Sequence, residues 1–283
     1  MDLSLSRSRN IISLAARPAR QRAKANDWVL AVGSLPLLIL LLLPILALVL
    51  KTPPATLLRY LGQSSIVQAI SLSLVTSTAT AATVVVLGLP LAYALARRRF
   101  RGRQLVEVLI DLPTVLPPAV AGLALLMAFG RRGLIGSWLQ TLGIEIAFTP
   151  VAVVMAQMFV AAPYYIKTAS VGLASVSGDL ERAAELDGAG PLEVLRYITL
   201  PLAWRGIAGG IALCWARALG EFGATIIFAG NYPGRTQTMP LAVYMGFQID
   251  LNQALTLGVI LLILSFSLLL TVRALLRDEP DTH

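Results

Sequence analysis

The amino-acid sequence predicts an all-α integral membrane protein with six transmembrane helices and a cytoplasmic helical hairpin between the fourth and the fifth. Of its 283 residues, 57% are hydrophobic and only 13% are charged, and the mean hydropathy is +0.76. Such a composition would expose too much apolar surface in water and is natural in a bilayer. Six apolar windows are long enough to cross a bilayer as helices. One polar segment between two of these windows carries the start and stop signals of short helices.

The six windows follow one another along the chain. Their cores are 28–50, 66–96, 105–129, 150–170, 204–229 and 254–275. The first has no small-residue cleavage site behind it, so we interpret it as an uncleaved span. The second is rich in Ser and Thr, which suits close packing between membrane helices, with a polar lining for a ligand as the alternative. Residues 131–149 are too broken by Gly and polar residues to span, and are predicted to form a loop with room for an interfacial helix.

Lys and Arg accumulate on one side of the predicted spans. Because cytoplasmic loops of membrane proteins carry the excess of these residues, both termini and the polar segment are predicted to be cytoplasmic. The chain is then a multi-pass protein of the cell membrane. It has a basic cytoplasmic segment 1–27, a transmembrane domain 28–275 and a short cytoplasmic tail 276–283. Residues 3–16 form either an amphipathic stretch on the inner leaflet or a disordered basic tail.

The position of the charges and the residue types that the sequence lacks argue against several functions. The net charge of +8 comes from cations beside apolar runs, where membrane lipid explains it and nucleic acid does not. With Cys214 as its one cysteine and His283 as its one histidine, the chain forms no intrachain disulfide and no histidine metal site, and no cofactor is predicted. No lysine stands in a phosphate-binding loop of the form GxxxxGK[ST], so the chain is not expected to be a P-loop ATPase by itself. Within the predicted spans, no clustered carboxylates, histidines or metal-ligand spacing indicate another enzyme.

The polar segment 177–201 is predicted to form the cytoplasmic hairpin. Ser177 and Asp179 are both candidates to cap a first helix, acidic residues crowd its first turn, and Gly188 ends it. Pro191 suits the first position of a second helix, which we expect to stop at Pro201. A plain connecting loop is the alternative, but ordinary loops are shorter and lack paired start and stop signals. The hairpin is therefore interpreted as a docking element for a partner.

The hairpin resembles the EAA loop of ABC importer permeases, whose pattern is EAA, three residues, Gly, nine residues, and then I-x-L-P. The spacings from Ala184 to Gly188 and from Gly188 to Ile198 match this pattern. Arg182, however, stands directly before the alanine pair, and Glu181 lies one position early. The resemblance implies that the hairpin couples to an ATPase subunit through the matching residues. These are Glu181, Ala183, Ala184, Gly188, Ile198, Leu200 and Pro201.

Three longer stretches, 88–103, 112–136 and 216–244, resemble the molybdate branch of that family. The run NYPGRTQT at 231–238 is the most specific part. The resemblance implies a permease that translocates molybdate by alternating access. It also implies two copies of the chain, two cytoplasmic ABC ATPase subunits and an extracytoplasmic oxyanion-binding protein. Permeases for sulfate, thiosulfate or tungstate are the alternative within the family, and an ion-driven secondary transporter, which would show related halves, is the alternative outside it.

Two charges inside the fifth predicted span form a candidate gate. Arg217 and Glu221 lie four residues apart and hence on one face of a helix. Unpaired charges inside a membrane are costly, so the two are expected to compensate each other or a partner. They form either a structural ion pair or a pair beside the anion path that helps to hold a gate closed.

Three prolines punctuate the start of the third predicted span. Pro113, Pro117 and Pro118 remove backbone donors and kink or break a helix, so the backbone is expected to be irregular there. The irregularity either lines a pore or serves packing. The family resemblance makes the third and fifth spans the expected pathway helices, which favours the pore.

Residues 231–240 are predicted to lie outside the cell and contain turn residues with one cation. Asn231, Gly234 and Arg235 are candidates for contact with the binding protein, and a solvated turn is the alternative. The apolar stretch 241–247 is expected to lie at the outer surface. Arg235 is not assigned to substrate binding, because the family resemblance places specificity largely in the delivering protein.

Overall fold

The computed structural model describes residues 19–276, with side chains from 32 to 274, and every element in this range is a helix. The chain divides after Lys51 into two units, 1–51 and 52–283. The predicted amphipathic stretch 3–16 lies outside the described residues, as does nearly all of the predicted tail 276–283.

The first unit contributes one long helix, α1, which spans Ala19–Leu50. It begins earlier than the predicted core at Trp28. Its apolar part, Val32–Leu50, has a mean hydropathy of 2.7 and is long enough to cross a membrane.

In the second unit, long apolar helices alternate with short ones. They are α2 Pro54–Leu61, α3 Ser64–Arg97, α4 Arg103–Val115, α5 Pro118–Phe129, α6 Gly136–Thr141, α7 Pro150–Ala174, α8 Gly178–Leu186, α9 Pro191–Val194, α10 Leu200–Leu219, α11 Gly223–Phe228, α12 Met239–Ile249 and α13 Leu251–Leu276. The predicted loop 131–149 holds only the short helix α6, as expected.

Helices α3, α7 and α10 pack together as the centre of the second unit. Their shared core contains Ala92 of α3, Tyr165 and Leu173 of α7, and Ala218 of α10. Small residues let such helices approach closely, which drives packing where lipid removes the usual hydrophobic driving force.

Polar side chains of α3 strengthen this packing. Gln157 of α7 donates to the hydroxyl of Thr76 at 3.2 Å and accepts from the hydroxyl of Thr80 at 2.9 Å. All three side chains are buried. The Ser and Thr content of the second predicted span is thus used for interhelical contact, as the packing interpretation predicted.

The third predicted span is not one straight helix. Helices α4 and α5 meet at an angle of 114° across the break at Leu116 and Pro117. Pro117 cannot donate a backbone hydrogen bond and Pro118 starts the new helix, which explains the break. Pro113 lies inside α4 without breaking it. The predicted irregularity is confirmed, and within the predicted span 105–129 it takes the form of a break between two helices.

The bent pair still runs from one end of the bundle to the other. Asp111 of α4 lies 2.6 Å from Lys167 in the second half of α7, whereas Ala121 and Leu125 of α5 pack with Val153 near the start of α7. Among the described residues, five helices are long and apolar enough to span a membrane, and the bent pair makes a sixth when counted as one span.

The second unit has a hairpin end and an opposite end. At the hairpin end, α3 and α7 finish and α4 and α10 begin. At the opposite end, the backbone N–H of Phe148, just before α7, donates to the carbonyl of Phe228 at 3.2 Å. Tyr60 of α2 donates to the carboxylate of Asp250 at 2.6 Å and so ties α2 to the junction of α12 and α13.

Helix α12 differs from the expectation for 241–247. Met239, Leu241 and Ala242 are buried, and Met239 and Ala242 pack with α3 and α13, whereas Phe247 is 72% exposed. The stretch is therefore not a surface segment throughout, because one face of this short helix completes the core.

Candidate functional site

From Ser177 to Pro191, the hairpin between α7 and α10 forms as its start and stop residues predict. The side chain of Ser177 caps α8 by accepting from the backbone N–H of Asp179 at 3.2 Å. Gly188 follows the helix with φ of +96°, a left-handed conformation that glycine adopts without the strain of a Cβ. Gly190 donates its N–H to the carboxylate of Glu193 at 2.8 Å, and Pro191 begins α9.

The second helix of the hairpin does not stop at Pro201. Residues Leu195–Thr199 form a π-helical segment in which the N–H of Leu200 donates to the carbonyl of Leu195, and α10 follows directly. Proline in a helix lacks an N–H and clashes with the carbonyl four residues earlier. The wider π register just before Pro201 accommodates this defect, so the hairpin is continuous with the fifth span.

The carboxylate of Glu181 faces the helical bundle. Its Oε1 lies 2.8 Å from Nη2 of Arg97, in the last turn of α3, and 2.6 Å from the hydroxyl of Thr199. The Glu181 side chain is only 16% exposed. Arg182 points away and is 76% exposed, 3.8 Å from Asp179. Glu181, which lies one position earlier than the glutamate of the motif, therefore binds two side chains of its own chain, Arg97 and Thr199.

Apolar side chains on the outside of the hairpin are exposed. Leu186 is 89% exposed, Leu192 is 75% exposed and Tyr197 is 68% exposed. Of the motif residues, Ala183 and Gly188 are exposed and Ala184, Ile198 and Leu200 are half-buried. Exposed apolar residues grouped on a surface mark interaction sites in otherwise well-packed proteins.

The fifth predicted span breaks at its charged pair. Helix α10 ends at Leu219 and α11 begins at Gly223, so a continuous helix over 204–229 is wrong. Nη1 of Arg217 lies 2.8 Å from Oε2 of Glu221, which confirms that the two charges compensate each other. The other oxygen of Glu221 accepts from the N–H of Ala224 at 2.8 Å and caps α11. Glu221 is 1% exposed and Arg217 is 27% exposed.

The third and fifth predicted spans touch where both break. A Cβ added at Gly223 would lie 2.4 Å from the Cβ of Pro118, and one added at Gly122 would lie 2.6 Å from the carbonyl of Ala224. Real Cβ contacts are longer, so glycine is required for this approach. The structure thus brings Pro118 next to the segment that Glu221 caps, but leaves Pro113 inside α4.

The predicted external run forms a compact turn at the opposite end. The backbone N–H groups of Arg235, Thr236 and Gln237 all donate to the carbonyl of Tyr232 at 2.9–3.1 Å. Gly234 has φ of +73° and is exposed, as is Arg235, whereas Asn231 is half-buried. A cavity of about 580 Å³ opens beside this turn. It is lined by Arg131, Glu145, Ala147, Phe148, Tyr232, Pro233 and Arg235.

Two residues of the hairpin end are not indicated by the sequence pattern. Arg97 is one of several arginines around the end of the second span, and only its position in the last helical turn distinguishes it from its neighbours. Thr199 lies in the variable part of the motif. Both are identified by their contacts with Glu181. Among the described residues, no group of acidic, cysteine or histidine side chains is arranged to hold a metal ion.

The fold and the hairpin define a multi-pass membrane protein built like the transmembrane subunit of an ABC importer. A chain of a bacterial ABC transporter involved in the import of the acidic polysaccharide alginate aligns with a TM-score of 0.71 at 16% identity. The alignment covers 93% of this chain and 99% of that one. At this identity the likeness concerns the fold.

The family follows from sequence similarity. Residues 85–277 match the binding-protein-dependent transport system inner membrane component family, and the chain belongs to it. The probable transport system permease protein NifC of Clostridium pasteurianum is 38% identical over 238 residues, 80% of this chain and 83% of that protein. The molybdenum transport system permease protein ModB of Mycobacterium tuberculosis is 43% identical over 189 residues, 67% of this chain and 72% of that protein.

Proposed function

We propose that this chain is the permease subunit of an ATP-driven importer and translocates molybdate across the cytoplasmic membrane by alternating access. The observation that carries the proposal is the hairpin. It belongs to a permease of this family, is fastened to the bundle through Glu181, and exposes Leu186, Leu192 and Tyr197 outward. The 43% identity to a molybdenum transport permease supports molybdate as the substrate.

The partners are inferred from the same features. Two copies of the chain form the pathway, two cytoplasmic ATPase subunits receive the two hairpins, and an oxyanion-binding protein docks at the opposite end. The excess of Lys and Arg at the hairpin end supports a cytoplasmic hairpin and cytoplasmic termini. ATP hydrolysis is assigned to the partner subunits, so the chain itself acts as a permease and not as an enzyme.

The transport cycle links the two ends of the chain. ATP binding draws the two hairpins together and opens the external side, and hydrolysis with release resets the inward-facing state. The binding protein contacts the turn at Asn231, Gly234 and Arg235. The anion path runs beside the broken third and fifth spans, where Pro117, Pro118 and the Arg217–Glu221 pair lie.

Reconstitution tests the proposal. The chain is inserted into lipid vesicles with its ATPase subunit and its binding protein, and uptake of radiolabelled molybdate is followed with and without ATP. Uptake that needs ATP and the binding protein is expected, and excess tungstate or sulfate identifies which oxyanions compete. Uptake driven by a proton gradient without any ATPase subunit would contradict the proposal.

A variant of the exposed hairpin surface sharpens this test. Leu186→Glu places a charge on a side chain that is 89% exposed, so the fold of the permease is expected to stay intact. Burying that charge in a partner interface is costly, and co-purification of the ATPase subunit should fall. The matched control is Leu134→Glu. Leu134 is 88% exposed and lies between α5 and α6, away from the hairpin, so this variant should leave co-purification unchanged.

A further inference from the structure

Arg97 joins three helices at the hairpin end. It lies in the last turn of α3, and its Nη2 lies 2.8 Å from the carboxylate of Glu181 in α8. The same nitrogen donates to the backbone carbonyl of Val176 at 2.9 Å, in the short connection between α7 and α8. One guanidinium group therefore connects the end of α3, the segment that follows α7 and the first helix of the hairpin.

Glu181 extends this contact to the fifth span. Its carboxylate accepts from the hydroxyl of Thr199 at 2.6 Å. Thr199 is fully buried and is the last residue of the π segment, directly before α10. A carboxylate that holds Arg97 on one side and Thr199 on the other thus links the helix before the hairpin to the helix after it.

The surroundings of this network separate it from the docking surface. The side chains of Arg97 and Glu181 are 17% and 16% exposed, and Val176 is 6% exposed. Charge-assisted hydrogen bonds shielded in this way are stronger than exposed ones. The residues that remain free for a partner, Leu186 and Leu192, lie on the outside of the hairpin.

We propose that Arg97 is a positioning residue for transport. Through Glu181, Val176 and Thr199 it holds the hairpin, the end of α3 and the start of α10 together as one joint, so that a movement of the hairpin is passed to the membrane helices. Glu181 acts inside this joint and does not contact the ATPase. The inference rests on the proposed function, because it assigns the step by which hairpin movement reaches the pathway.

Neutralisation of Glu181 gives the first test. Glu181→Gln keeps an oxygen that can accept from Thr199 but removes the charge that pairs with Arg97. In vesicles with the ATPase subunit and the binding protein, molybdate uptake per ATP hydrolysed should fall by about tenfold, the effect of losing one charge-assisted contact. Co-purification of the ATPase should be unchanged. The control Glu185→Gln, an exposed acid on the same helix, should behave as wild type.

Chemical restoration of the joint gives the second test. Arg97 and Glu181 are both replaced by cysteine in a chain whose one native cysteine, the buried Cys214, is replaced by alanine. The double variant should transport poorly. A bifunctional thiol reagent as long as the two lost side chains should then restore uptake per ATP, because it fastens the hairpin to α3 again. A monofunctional thiol reagent should not.

Each result decides the inference. Loss of ATPase co-purification in Glu181→Gln would show that the acid contacts the ATPase, and unchanged coupling would show that the joint is dispensable. Failure of the cross-link to restore transport would show that hairpin and α3 must move separately. These outcomes differ from failure of the proposed function, in which the wild-type transporter itself takes up no oxyanion.

Discussion

Two shielded ion pairs within the part of the permease that the structure describes differ in what they join. Arg217 and Glu221 belong to one stretch of chain, and their pair shapes the break between α10 and α11. Arg97 and Glu181 belong to different helices, and their pair fastens the hairpin to the bundle. Glu221 is 1% exposed, whereas both members of the second pair keep about a sixth of their side chains exposed, 17% and 16%.

The same chemistry serves two mechanical purposes in these pairs. A dehydrated carboxylate with two partners in its own segment fixes a local backbone shape, because breaking either contact leaves a buried charge. A carboxylate that receives partners from two separate helices makes those helices dependent on each other. The first pair is expected to matter most for stability, and the second for the coupling between hairpin and membrane helices.

Removal of the local carboxylate should have the largest effect. Glu221→Ala leaves the Arg217 cation without its partner and the N–H of Ala224 without its acceptor, and should lower the free energy of unfolding by about 3–5 kcal/mol. Unfolding of the purified protein in detergent measures this. Glu221→Gln keeps the cap on α11 and should cost less. If Glu221→Gln also shows wild-type molybdate uptake with ATPase activity still coupled to the binding protein, a gating role for the pair is excluded.

Loss of the hydroxyl that joins Glu181 to α10 should have an intermediate effect. Thr199→Val preserves the shape of a buried residue but removes the donor to a carboxylate, and should cost about 1.5–3 kcal/mol. The same unfolding measurement applies. Thr83→Val removes a hydroxyl that only donates to the carbonyl of Ala79 in its own helix, and should change stability by less than about 0.5 kcal/mol. Equal effects of the two variants would contradict the importance of the long-range contact.

The turn of the hairpin should show a smaller effect. Gly188→Ala forces a side chain into the left-handed region at φ of +96° and should cost about 1–2 kcal/mol. Gly190→Ala is the control, because its backbone has φ of −71° and an added Cβ would lie 3.6 Å from the nearest atom. Limited proteolysis of the hairpin compares the two, with faster cleavage expected only for Gly188→Ala.

A contact far from both pairs should show the smallest effect. The hydrogen bond between Tyr60 and Asp250 holds the pKa of the Asp250 carboxyl below its usual value and raises the pKa of Tyr60. A lowered carboxyl pKa stabilises the fold above the unfolded pKa, and this stabilisation is lost as pH falls through the folded pKa. Tyr60→Phe should therefore make the melting temperature depend less on pH in the acidic range in which the Asp250 carboxyl titrates. An unchanged pH profile would mean that the contact contributes nothing.

Much of the membrane architecture could be predicted because it depends on local composition. Apolar length identified the candidate spans, and paired capping residues identified the hairpin, since both signals lie within a few turns of chain. The Arg217–Glu221 pair was predictable for the same reason, because the two residues are only four positions apart, and their side chains still meet although the helix ends between them. The consecutive prolines predicted a break, but not the 114° angle, which depends on how α4 and α5 pack against α7.

Other features depend on contacts between distant segments. Nothing near Glu181 in the sequence indicates Arg97, which ends a helix far earlier in the chain. The expected stop at Pro201 was wrong. Proline breaks an α-helix because it clashes with the carbonyl four residues earlier. The π segment Leu195–Thr199 changes the hydrogen-bond pattern just before Pro201, so the helix continues. The buried face of α12 escaped prediction because its apolar pattern fits a membrane surface as well as a core.

The outward leucines of the hairpin have a consequence for the life of the protein in the cell. Leu186 and Leu192 are exposed in the single chain, and under the proposed function they stay in water until the ATPase subunit covers them. A copy made in excess of its ATPase therefore displays a hydrophobic signal that chaperones and proteases recognise. The surface that we propose for energy transfer would then also act in quality control, by marking unassembled subunits for degradation and keeping the numbers of permease and ATPase matched.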